Sequence, residues 1–202
     1  MDAVEHVPVV SLDPESDFWS RFFTVAPLVV IGTREGAGHN LAPKHMATPL
    51  GWQGYFGFTC TPRHATYHNA RRAGAFTVSF PRPSQVVLAS LTAAPRCDAP
   101  GHKPALDALP TFPAEIIDGV FLADGYLFLE CELERVVDGL GVNSFLIGRV
   151  VAVHVRQDAL RVSEQAGGEL LAEAPLLAYV APGHYTAIRE AFAFPMPAGF
   201  TR

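Results

Sequence analysis

Short apolar, β-rich runs recur along the chain, and no other feature constrains its fold as tightly. They are PLVVIGT (27–33), YFGFT (55–59), AFTVSF (75–80), GVFLA (119–123), YLFLECELERVV (126–137) and FLIGRVVAVHV (145–155). In the fifth, Leu127, Leu129, Cys131 and Leu133 alternate with Phe128, Glu130, Glu132 and Glu134. That is the period of two of a strand with one face in the core. The glutamates share the other face, which is expected to be solvated rather than a site of paired catalytic carboxylates. Six or more such strands with turn residues between them predict a mainly β chain, a barrel or a sandwich.

Helices interrupt the strands. SLDPESDFWSRFF (11–23) reads as a short N-terminal helix with Asp13 as cap, Pro14 in the first turn, and Glu15 and Asp17 at the positive end of its dipole. HATYHNARRAG (64–74) ends on Gly74, which suits a left-handed helix stop. SQVVLASLTAA (84–94) predicts a further helix, although its valines also allow a strand. Residues 95–113, rich in Pro, Asp and Gly, predict a long loop. The Pro-rich, aromatic tail (about 174–202) predicts a strap packed over the body. No repeat or linker divides the chain, so residues 1–202 are expected to form a single domain.

Composition narrows the function. With 49% hydrophobic and 17% charged residues, the chain has material for a sizeable core. A formal net charge of -5 and no basic block beyond Arg71-Arg72 argue against nucleic acid and against an anionic membrane surface. The run 145–155 is broken by Arg149 and is too short to span a bilayer. MDAVEHVPVV lacks the features of a secretory signal. Cys60, Cys97 and Cys131 are odd in number and far apart. They predict free buried thiols in a reducing, cytoplasmic setting and no zinc site.

Side-chain chemistry is sparse. There is no GxSxG, no P-loop, and no GxGxxG within a βαβ pattern. Two polar clusters follow strands. GHNLAPKHM (38–46), read as a loop, carries neither a nucleophile nor an acid. TCTPRHATYHN (59–69) runs from a strand into a helix start, where free N–H groups and the dipole favour a phosphate. Arg63, His64 and the Thr66 hydroxyl sit where such a phosphate needs partners. The same residues also read as an ordinary capped helix with a basic first turn, and His39, His45, His64 and His68 as surface or satisfied loop residues.

The ordered set of a strand ending in Thr33, Asn40-Ala42-Pro43, Thr66-Asn69 and Gly74-Phe76-Val78 resembles the flavin reductase-like proteins of the FMN-binding split-barrel superfamily. The runs 125–137 and 145–155 resemble that family's two long C-terminal barrel strands. The resemblance covers about three quarters of the chain, in consistent order. It implies a six-stranded antiparallel Greek-key split barrel, a homodimer, and FMN (or FAD) at the barrel rim. Asn40, Leu41, Ala42, Pro43, Lys44 and His45 would edge the flavin ring. Thr59, Cys60, Thr61, Arg63, His64, Thr66 and Asn69 would line the ribityl chain and phosphate. His184 and Tyr185 in the tail would cover the flavin or meet substrate, unless they belong to a packed aromatic strap. The family commonly has Ser at the position of His45 and Asp at that of Ala65. The implied activity is that of an NAD(P)H-dependent flavin oxidoreductase, with reduced flavin passing to a small acceptor or to a monooxygenase. Catalytic side chains are not required, because the flavin carries the chemistry. A non-catalytic FMN-binding carrier, and a barrel that holds an apolar ligand without flavin, are the alternatives.

Overall fold

The computed structural model describes residues 8–97, 103–161, 167–197 and 199. Its strands are β1 Thr24–Pro27, β2 Val29–Glu35, β3 Gly38–Lys44, β4 Ala47–Pro49, β5 Tyr55–Cys60, β6 Ala75–Phe80, β7 Thr111–Pro113, β8 Val120–Leu122, β9 Leu127–Leu140, β10 Asn143–Val155, β11 Leu176–Ala181 and β12 His184–Ile188. Its helices are α1 Ala65–Ala73, α2 Val86–Leu91, α3 Pro104–Asp107 and α4 Gly167–Glu173. None among the described residues is long and apolar enough to cross a membrane.

Seven strands form one antiparallel sheet in the order β3-β2-β6-β9-β10-β5-β4, one more than the six expected for the split barrel. The sheet curls until its two halves share a core. Ile31 of β2, Phe76 and Val78 of β6, Cys131 of β9, Leu146 of β10 and Phe58 of β5 pack in one buried cluster. Phe58 meets Phe76 edge-on at 5.1 Å between ring centroids, although their strands are not neighbours. Two glycines make room for aromatic rings of the sheet. A Cβ on Gly57 would stand 2.4 Å from the Phe145 ring, and one on Gly148 would stand 2.5 Å from Phe76.

GHNLAPKHM is a strand rather than a loop. Residues 38–44 pair with β2 along their whole length, with Asn40 opposite Thr33 and Pro43 opposite Val30. Pro43 is tolerated because β3 is the sheet's outer strand, where a missing N–H leaves no ladder bond unmade. The N-terminal helix is reduced to one 3₁₀ turn, Phe18–Arg21, in which no residue is buried. With no apolar face against the barrel, a helix this short has little to stabilise it. The long loop contains α3 and β7, and β7 forms a hairpin with β8; residues 98–102 lie outside the described set. The tail is not a bare strap. β11 and β12 pair, and β11 also pairs with β1, making a three-stranded sheet that joins the two ends of the chain. Residues 198 and 200–202 of that tail, like residues 1–7, lie outside the described set.

The glutamates of β9 do not share one environment. Glu132 and Glu134 are exposed, the former paired with Arg149. Glu130 has no exposed surface. The segment joining β7 and β8 covers it and hydrogen-bonds it directly. Cys97 is exposed, whereas Cys60 and Cys131 are buried as free thiols.

Candidate functional site

The outer strand β3 and the start of α1 meet at a basic cavity. Alternation along β3 sends Asn40, Ala42 and Lys44 to this side and His39 and Leu41 to the other. Buried Asn40 donates from Nδ2 to Thr66 Oγ1 at 3.4 Å, tying the strand to the first turn of the helix. His64 occupies the N-cap of α1 without a side-chain cap bond, and the first turn carries no acid. Its N–H groups therefore face the cavity end without a carboxylate competing for them. At the other end, Gly74 takes φ 65°, a left-handed stop that needs a residue without Cβ strain.

The cavity holds about 430 Å³. Lys44, Arg63, His64, Arg96 and Lys103 line it, with no carboxylate among the described lining residues. Thr66, Thr92 and the small residues Ala42, Pro43, Ala65 and Ala93 complete the wall. Lys103 Nζ donates to the carbonyls of Leu41 (3.1 Å) and Thr92 (2.9 Å), which pins its loop to β3 and to the end of α2. Burial, with Arg96 nearby, pulls the Lys103 ammonium below the usual lysine range. Arg96 pairs with Glu35 at 2.9 Å and reaches Asn40 Oδ1 at 3.5 Å. Burial lowers the His64 imidazole as well, helped by Lys44 and Lys103. Such a concentration of positive charge beside a helix start is matched by a ligand with an anionic group.

Seven of the residues singled out from the sequence come together here: Asn40, Ala42, Pro43, Lys44, Arg63, His64 and Thr66. Others lie elsewhere. Leu41 faces an adjoining cavity of about 580 Å³, which shares Arg96 and Lys103 with the first. Asn69, buried one turn further along α1, donates to Glu35 Oε1 at 3.0 Å and accepts from Arg72, so it fastens the helix to β2. Thr59, Cys60 and Thr61 run along the end of β5. Burial raises the Cys60 thiol although Lys44 beside it acts the other way. His45 turns aside and stacks on Tyr179 of β11, with ring centroids 4.3 Å apart. Burial and Lys44 lower its pKa. His184 meets Phe23 edge-on at 5.4 Å and Tyr185 is exposed; neither lines the cavity.

Arg96, Lys103 and Thr92 were not legible as site residues, because they sit in or beside the segment read as a loop. One signal was present. The chain has only two lysines, Lys44 and Lys103, and both line this cavity.

The profile of the flavin reductase like domain matches residues 20–188. No curated protein matches the chain significantly. Among solved structures, nitrilotriacetate monooxygenase component B from Bacillus cereus superposes with a TM-score of 0.78 at 22% identity, covering 94% of this chain and 100% of that one. Flavoredoxin from Methanosarcina acetivorans gives 0.74 at 15% identity, with 96% and 98% covered. An FMN-binding protein from Thermus thermophilus gives 0.72 at 22% identity, with 93% and 99% covered.

Proposed function

The chain belongs to the flavin reductase like family, and from that premise we propose that it binds FMN in the basic cavity and acts as an NAD(P)H-dependent flavin oxidoreductase. The observation that carries this reading is the uncapped, acid-free start of α1 facing five basic side chains. A volume of about 430 Å³ lies in the range of small-molecule and cofactor sites. The donor set suits a phosphate: Arg63, His64 and Thr66 with the first-turn amides would hold it, and Lys103 would add charge. Asn40, Ala42 and Pro43 offer a flat, small-residue edge for an isoalloxazine ring, with Lys44 placed to favour its anionic reduced form. FMN, when bound, supplies two-electron redox chemistry between a nicotinamide and a small acceptor. The protein's own part is to bind, orient and balance charge, which needs no nucleophile. FAD fits the same phosphate anchor.

We further propose that the protein works as a homodimer in the cytoplasm, with residues 1–202 as one functional domain. Val137, Leu140 and Val142, exposed near the tip of the β9–β10 hairpin, supply apolar surface for a second copy. The likeness to a monooxygenase component supports a monooxygenase as recipient of reduced flavin. The likenesses to flavoredoxin and to an FMN-binding protein favour a second reading, an FMN-binding electron carrier without turnover. Steady-state oxidation of NADH and NADPH with excess free flavin separates the two. Many turnovers per chain support the reductase, whereas a single reduction of bound flavin supports the carrier.

A further inference from the structure

The buried Glu130 sets up a second cluster, which shares no lining residue with either cavity beside β3. Its Oε1 accepts the N–H of Glu115 at 2.9 Å, and its Oε2 accepts those of Ile116 (2.7 Å) and Ile117 (2.9 Å). His154 Nε2 lies 2.8 Å from Oε1. Burial acts to raise the carboxyl, but the backbone donors and His154 outweigh it and hold the group below the usual range. Backbone N–H groups can only donate, so the carboxylate is kept as the anion. An anion can only accept, so Nε2 of His154 carries the proton. In the neutral ring Nδ1 is then a bare acceptor, and it makes no hydrogen bond to any described residue.

His154, 29% exposed, lines a cavity of about 220 Å³ with Phe112, Pro113, Phe121 and Phe128. The phenylalanines form one aromatic wall: Phe112 lies 5.1 Å from Phe121 and 5.0 Å from Phe128 between ring centroids. Phe121 stands edge-on to His154 at 6.0 Å. The space suits one ring rather than a nucleotide. Glu115, Val155 and Arg156 complete the lining, and Arg156 pairs with Asp158 at 3.4 Å.

We propose that this is a second ligand site, for a small phenol whose ring packs on the phenylalanine wall and whose hydroxyl donates to His154 Nδ1. A hydrocarbon would leave that acceptor unpaired. A carboxylate brings no donor for Nδ1 and sets its charge against Glu115, while Arg156 is already paired with Asp158. A phenol supplies both the ring and a strong donor.

The test is titration of the FMN-saturated protein with p-cresol, with toluene and benzoate as controls. The site predicts saturable binding of one p-cresol per chain, with both controls about tenfold weaker or more. His154→Phe should bring p-cresol down to the toluene level, and saturation with FMN should leave its affinity unchanged. Equal binding of toluene or benzoate, an unaffected variant, competition by FMN, or no saturable binding would each overturn the proposal. ¹⁵N NMR of the wild-type histidines gives a readout that needs no variant. It should show His154 protonated at Nε2 and its Nδ1 resonance moving on addition of p-cresol. An Nδ1-protonated ring, or a resonance that stays in place, would overturn it equally.

Discussion

A carboxylate without exposed surface is tolerated only when donors replace the water it loses. Glu130 has four such donors, three of them backbone N–H groups of residues 115–117. Glu130→Gln sets an amide N–H₂ against at least one backbone N–H, which can only donate. It should lower unfolding free energy by about 3 kcal/mol in denaturant titration; an unchanged midpoint would contradict the role given to this residue. The pH dependence has a definite sign. The folded pKa of Glu130 is depressed, so its contribution is complete above the unfolded value near ~4.3 and is lost as pH falls through the folded one. The acid limb of stability should therefore be flatter in the variant than in the wild type. A thiol prediction follows from burial. The Cys131 thiol is pushed up to about 12 by burial and by Glu130, and Cys60 is raised too, whereas Cys97 is exposed. A disulfide reagent should label Cys97 alone in the native protein, and Cys97→Ser should abolish that labelling.

Two elements, β3 and α1, make the proposed flavin site, and α1 invites two tests. The start of α1 acts through its free N–H groups with Arg63 and Thr66. Arg63→Ala combined with Thr66→Ala should weaken FMN binding roughly 10–100-fold with the far-UV spectrum unchanged; equal affinity would remove the phosphate from this helix. Along its length α1 also anchors the β9–β10 hairpin, because Tyr67 donates to Asp138 Oδ1 at 2.9 Å and Ser144 donates to the same oxygen at 2.6 Å. Tyr67→Phe should speed hydrogen exchange at residues 137–143 without changing FMN affinity. The helix itself was legible, since Gly74 and the polar start mark both its ends. The strand character of GHNLAPKHM was not. Pro43 argues against a strand unless that strand lies at a sheet edge, and edge position is fixed by pairing with β2 rather than by local sequence. The burial of Glu130 was equally hidden, because three of its four donors come from a turn 13 to 15 residues earlier in the chain.

At the scale of the molecule, the spaced apolar runs carried most of the fold. The runs supplied the strands, and all but GVFLA send side chains into one core because the sheet curls, whereas Leu122 of GVFLA joins Val30 and Leu41 in a second cluster. Curling depends on close approaches that the runs do not display, as at Gly57 and Gly148. Alanine at either position should cost about 1–3 kcal/mol. The tail's pairing with β1 was also hidden, since it joins residues more than 150 positions apart. Association is tested by sedimentation at micromolar concentration, where the proposed dimer predicts twice the chain mass. The central claim is that the basic cavity is a flavin site, and the visible absorption of the purified protein during titration with FMN tests it most directly. The account predicts a saturable flavin spectrum at one FMN per chain, bleached on addition of NADH or NADPH and weakened in the Arg63→Ala, Thr66→Ala variant. A colourless protein that takes up no FMN would contradict it.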